Sequence, residues 1–251
     1  MKTITAISII LLTGMIACKK ESTPSSPVGS DHKNMIKTRT EIDVPFTAQL
    51  YSNTYYYSEN NMIDSIKSAD GTGYINTYRF TFKPGLIMRQ RFDQDGIPRD
   101  IDSLYLNSKG LLEVDHLLEG QLLLYTYDAN GYVVEEINRT SNDTLEIDRN
   151  TIKNGNYLVI EESYPNTGGY EHREYYFNTQ ESNTITWDRT GEPFYGKVNT
   201  NLIDHVSFIS CAGIYRVDTY SYEFNDDGLI THTKCTSTAT FKGFDIYYTY
   251  Y

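Results

Sequence analysis

Four groups of residues in this chain have types that could do chemistry: two acidic turn motifs, the histidines, the cysteines and a large stock of carboxylates. Asp93-x-Asp95-Gly96 and Asp128-x-Asn130-Gly131 carry part of the oxygen spacing of a calcium loop. That loop also needs an oxygen ligand two residues earlier and a Glu six after the Gly. The first motif has Arg91 and Asp102 at those places and the second has Thr126 and Ile137, so both read as turns. The histidines stand singly at 32, 116, 172, 205 and 232, with no His-x-x-x-His or Cys-x-x-Cys spacing. No metal and no cofactor is therefore expected. There is no Gly-x-Ser-x-Gly elbow and no glycine-rich phosphate loop, and nothing among 33 acidic residues singles out a pair for glycoside hydrolysis. No enzymatic activity is expected; a hydrolase is a minor alternative.

The cysteine with the clearest context is Cys18. Lys2, an apolar stretch from Ile4 to Leu12, and Gly14-Met15-Ile16-Ala17 precede it. That order is a secretory signal, and the stretch is too short for a stable membrane span. The Ala17-Cys18 junction resembles the lipobox of bacterial lipoproteins, with Met15 where Leu is more usual. The resemblance implies that residues 1–17 are removed and that the Cys18 thiol takes a diacylglycerol. Several acyl chains (palmitate among them), at ~0.8 kcal/mol per buried CH₂, would anchor the chain durably. The expected location is the cell outer membrane, on a side the sequence does not fix. Cys211 and Cys235 remain as an even pair that an oxidising envelope would allow to bridge. A regular hairpin about the 225–228 turn pairs position 235 with about 218, so a bridge needs a bend at Gly213, and the pairing stays open. Loss of Lys2 takes the formal net charge from −11 to −12. So acidic a chain repels nucleic acid, which is excluded as a partner.

The positioning elements are strands. Residues 18–45 read as the lipidated cysteine and a flexible polar tether, and 46–251 as a single β domain rich in Tyr, Ile, Val, Thr and Phe. Tyr78, Phe80 and Phe82 alternate with Arg79, Thr81 and Lys83, and Phe244, Ile246, Tyr248 and Tyr250 repeat the pattern. One buried and one wet face argues antiparallel pairing. A turn recurs: Phe92-Asp93-Gln94-Asp95-Gly96-Ile97, Leu106-Asn107-Ser108-Lys109-Gly110-Leu111, Tyr127-Asp128-Ala129-Asn130-Gly131-Tyr132 and Phe224-Asn225-Asp226-Asp227-Gly228-Leu229. A degenerate copy puts Asn61 at the Gly position after Tyr57-Ser58. Asp, Asn or Ser at the first turn position bonds back to the backbone, and Gly or Asn at the fourth tolerates a left-handed dihedral. Serial hairpins make a meander. The fold class expected is all-β, a long antiparallel meander curled into a half-barrel or barrel-like sheet. One short helix is expected near 200–212, from the spacing of Leu202, Ile203, Val206 and Ile209.

With signal, tether and turns together, the chain resembles a broad class of uncharacterised Gram-negative envelope lipoproteins. Their Tyr-x-Tyr-Asp-x-x-Gly repeats are similar to the YD repeats of RHS proteins. Trp187-Asp188-Arg189-Thr190-Gly191-Glu192-Pro193-Phe194-Tyr195-Gly196 is similar to an Asn-Pro-Phe-Tyr-Gly stretch of that class, with Glu192 where Asn is usual. The resemblance covers roughly residues 46–251 and implies a curled, porin-like antiparallel sheet with no established activity. Trp187, Phe194 and Tyr195 read as core anchors before exposed sugar platforms. Asp64-Ser65-Ile66, Asp102-Ser103-Leu104 and Asp143-Thr144-Leu145 resemble the acceptor triplet of an envelope O-glycosylation system. The function expected is non-enzymatic binding or scaffolding at the membrane, with an envelope protein or an extracellular polymer as partner. The alternatives are a glycan-binding surface lipoprotein and an outer-membrane barrel. Val133-Val134-Glu135-Glu136-Ile137 speaks against the barrel, since it puts a carboxylate on both faces.

Overall fold

The computed structural model describes residues 34–43, 49–117, 120–210, 213–239 and 243–251. The expected signal (1–17), the lipidated Cys18 and Cys211 lie outside these residues. The first eight strands are β1 (Ile36–Asp43), β2 (Gln49–Tyr57), β3 (Ile63–Asp70), β4 (Ile75–Lys83), β5 (Leu86–Phe92), β6 (Pro98–Leu106), β7 (Leu112–His116) and β8 (Leu122–Tyr127). The rest are β9 (Val133–Arg139), β10 (Thr144–Lys153), β11 (Asn156–Tyr164), β12 (Gly169–Ser182), β13 (Asn201–Ser210), β14 (Gly213–Phe224), β15 (Ile230–Ser237) and β16 (Gly243–Tyr250). Each strand pairs antiparallel with its chain neighbours, and β1 closes on β16, so the meander is a complete barrel.

Two boundaries differ from the expectation. β1 lies inside the stretch read as tether, so the barrel begins at Ile36 rather than Phe46. Its polar composition hid it, but its pairing with β16 from Ile36↔Tyr250 to Asp43↔Phe244 removes the open edges that a half-barrel would leave unpaired. The helix expected near 200–212 is instead strand β13. A register shift opposite Tyr176/Phe177 breaks the strict alternation there and imitates a helical period. Ile203, Val206 and Ile209 are β-branched; β12 pairs with all three and β14 with Val206 and Ile209, which holds them extended.

The recurring turn behaves as its residue types require. The Oδ1 atoms of Asp93, Asn107, Asp128 and Asn225 each accept two backbone N–H groups at 2.9–3.1 Å, from residues two and four further on. The fourth positions have φ of 75° at Gly96, 76° at Gly110, 92° at Gly131 and 73° at Gly228, and Asn61 of the degenerate copy has φ 58°. Asp70-Gly71-Thr72-Gly73-Tyr74 is one more copy, with Asp70 bonded to the N–H groups of Thr72 and Tyr74. In the calcium-like motif, the second oxygen of Asp93 accepts from Arg99 at 2.6 and 2.9 Å. These carboxylates are committed to their own turns.

Cross-strand partners share a face, so register separates the two walls. Tyr78, Phe80 and Phe82 face Arg91, Arg89 and Ile87 on the inside, while Thr77, Arg79 and Thr81 face Phe92, Gln90 and Met88 outside. The outer wall is largely polar. One row across β1–β4 reads Thr38, Thr54, Lys67, Thr77, and another across β12–β15 reads Tyr176, His205, Thr219, Thr236. One sector is apolar, the row Leu86, Tyr105, Val114, Leu124, Ile137, Ile147 across β5–β10. The inner wall carries the core. Ile36, Ile63, Ile87, Leu104, Leu112, Leu202 and Ile230 are all at most 2% exposed, gathered at the end where β1 begins.

Candidate functional site in the plugged lumen

The connection between β12 and β13, residues 183–200, folds across that end as a plug. It holds a single helical turn, α1 (Trp187–Thr190), and a 3₁₀ turn at Pro193–Tyr195. Phe194 is 3% exposed and enters the apolar cluster, as expected for a core anchor, with Phe82 and Tyr195 rings at 6.3 and 4.8 Å. Trp187 is 36% exposed beside Tyr195 and is not the core anchor expected of it, since the helical turn that carries it leaves its ring at the surface of the plug. Backbone bonds seat the plug on the wall: Ile63 N–H donates to Gly191 O at 3.0 Å, Lys197 N–H to Gly131 O at 2.9 Å and Thr200 N–H to Gly155 O at 2.9 Å. Tyr57 donates to Arg189 O, and Arg189 Nη1 donates to Asn34 O at 2.9 Å. Gly191 has φ 73°, and a Cβ there would stand 2.5 Å from Ile63 N. Only glycine allows this approach.

Above the plug the lumen holds two chambers. The larger, about 520 Å³, is lined by the inner faces of β2–β6, by Leu117 and Gln121 at the far rim, and by Glu192 from the plug. Period-two spacing puts Arg89 and Arg91 of β5 opposite Asp102 and Asp100 of β6. Arg89 donates to Asp102 at 2.9 Å, to Asp115 at 3.4 Å and to Tyr195 OH at 3.5 Å. Arg91 pairs with Asp100. Tyr78, Phe80 and Ile66 form an apolar side, and Asn53 and Ser68 add neutral polar groups. Burial pushes the Glu192 carboxyl up to about 7, against the pull of Thr190 and Arg89.

The smaller chamber, about 310 Å³, lies against β8–β11 and is lined by Glu136, Asp148, Asn150, Tyr157 and plug residues including Trp187 and Lys197. Burial, then the neighbouring carboxylates, raises Glu136 to about 7 and Asp148 to about 6. Glu146, Asp148 and Glu162 bring one oxygen each within 4.8 Å of one another. Arg173, between Glu162 and Glu171, supplies the counter-charge.

Of the residues singled out in the sequence, Tyr78, Phe80, Asp102, Trp187, Glu192 and Tyr195 line the chambers, and others lie elsewhere. Cys235 is buried in the lumen wall, opposite Tyr220, and burial raises its thiol to about 11. Ser210 and Gly213, which bracket Cys211, pair at the rim. Cys211 lies outside the described residues, so its pairing with Cys235 remains an expectation of the sequence. Of the glycosylation-like triplets, Ser65 is buried and Asp102 is turned into the lumen. The lumen ion pairs were missed by sequence reading, although Arg89-x-Arg91 and Asp100-x-Asp102 on successive strands were the available signal.

No family model and no curated protein matches this chain. Solved structures do. A porin-like protein from Bacteroides uniformis ATCC 8492 is 13% identical with a TM-score of 0.64, covering 89% of this chain and 99% of that one. A porin-like protein from Bacteroides vulgatus ATCC 8482 is 11% identical with a TM-score of 0.51, covering 86% and 98%. At such identities the likeness is one of fold, and this chain shares the porin-like antiparallel barrel.

Proposed function

We propose that this chain is a lipid-anchored envelope protein whose barrel stands in water and serves as a plugged binding cup for a soluble ligand, without catalysing a reaction. The observation that carries the reading is the pairing of a polar outer wall with an occluded lumen. A barrel embedded in lipid needs an outward apolar band about 25 Å tall, and each Arg or Lys at its midplane costs about 2–4 kcal/mol. Here Lys67, Arg79, Arg149 and Lys234 are exposed on the outer wall, and among the described residues only the β5–β10 sector offers an apolar row. The plug argues against conduction and supplies a floor. The chain enters the barrel at the plugged end, through Asn34 and Met35. A lipid on Cys18 would therefore hold that end towards the membrane and turn the far rim away from it, towards an envelope or extracellular ligand. The test is palmitate labelling of the full chain beside a secreted 19–251 form. Label on Cys18 that is lost in Cys18→Ala, and a 19–251 protein that stays monodisperse without detergent, are expected. A form that needs detergent to stay in solution would refute the water-surrounded barrel.

A further inference from the structure

Resting on the reading of the lumen as a binding cup, we propose that its larger chamber takes an uncharged, hydroxyl-rich ring compound, a neutral sugar. The chamber's volume of about 520 Å³ lies in the range of small-molecule sites. Its apolar side is flat: Tyr78 and Phe80 share a face of β4 and stand beside Ile66, which suits the C–H face of a pyranose.

The guanidinium groups around that side are already paired. Arg89 is held by Asp102 and Asp115, and Arg91 by Asp100, so neither is free to recruit an anion. A carboxylate or phosphate ligand would meet Asp100 and Asp102 as like charges, and a cation would meet two guanidinium groups. Such pairs keep spare donors and lone pairs, and Asn53, Ser68 and Gln121 add more of both. A hydroxyl donates and accepts at once, so it can satisfy either kind. One group is waiting for such a partner: the buried Nε–H of Arg91 meets no acceptor among the described residues. Placed on the chamber wall beside the aromatic side, it calls for a ligand oxygen.

The experiment is saturation-transfer NMR and calorimetry on the mature protein with glucose, galactose, mannose, xylose and their disaccharides. Glucuronate and glucosamine serve as anionic and cationic counterparts. At least one neutral sugar is expected to bind, with affinity reduced tenfold or more in Gln121→Ala and in Tyr78→Leu, and unchanged in the outer-wall variant Lys234→Ala. Strand circular dichroism and the amide spectrum establish that each variant is folded. Tighter binding of glucuronate or glucosamine than of every neutral sugar overturns the ligand class and leaves the cup reading standing. Sugar binding that Gln121→Ala and Tyr78→Leu do not alter places the site elsewhere and overturns the proposal, as does a folded protein that binds none of the panel. A broader screen of small solutes that moves no resonance of Ile66 or Gln121 would overturn the cup reading itself.

Discussion

Glu192 gives the sharpest energetic prediction. The residue is 8% exposed, and burial raises the pKa of its carboxyl from 4.5 to about 7. In the unfolded chain the proton leaves near 4.5, whereas in the barrel it stays until about 7. Between those values the folded state holds a proton that the unfolded state has released, so stability falls as pH rises. Below the lower value the group contributes nothing, and above the higher one the cost is complete. At 1.36 kcal/mol per unit, the loss is about 3 kcal/mol. Glu192→Gln keeps the shape and a hydrogen-bonding group beside Thr190 but removes the titration. Urea unfolding of both proteins at pH 5 and pH 8 measures it. The variant is expected to be more stable than the parent at pH 8 by up to about 3 kcal/mol, a midpoint shift on the order of 1 M urea, and nearly equal at pH 5. Glu136 and Asp148 titrate in the same direction, but they act equally in both proteins and cancel in the comparison. A parent and variant with the same difference between pH 5 and pH 8 would refute the buried, protonated Glu192.

Other perturbations test the plug and the turns. Gly191→Ala forces a side chain into a φ of 73° and against Ile63 N, at a cost of at least about 1–2 kcal/mol, and should unseat the plug. Hydrogen exchange of the Ile63 amide, which donates to Gly191 O, should accelerate; unchanged protection would mean that the plug is not held there. Asp128→Ala removes the acceptor of the Asn130 and Tyr132 N–H groups and should lower stability by about 1–2 kcal/mol in urea unfolding. The same change at exposed Asp226 of the equivalent turn should stay within about 0.5 kcal/mol.

The meander could be read from the chain because its causes are local. A turn of the Asp-x-x-Gly type closes on itself through a side chain four residues or fewer from its partners, and strand alternation has a period of two. Tyr78-Arg79-Phe80-Thr81-Phe82-Lys83 therefore declared its two faces without a fold. β1 and β13 were misread for the opposite reason. Ile36–Asp43 is polar and is a strand because β16, more than 200 residues away, needs a partner for its open edge. β13 looks helical because the bulge against β12 breaks its alternation, and only the pairing with β12 and β14 shows it to be a strand.

The site follows the same division. Sequence alone determined an all-β chain of serial hairpins and the identity of its turn residues. Whether the sheet closes, which end is blocked, and which charges meet inside were decided only by tertiary structure. Arg89 acquires meaning when β6 and β7 bring Asp102 and Asp115 to it, and Glu192 when the plug carries it into the lumen. Closure of a ring depends on the register summed over every strand pair, and burial inside it depends on which wall a residue faces once the ring exists. Neither quantity belongs to any one stretch of the chain.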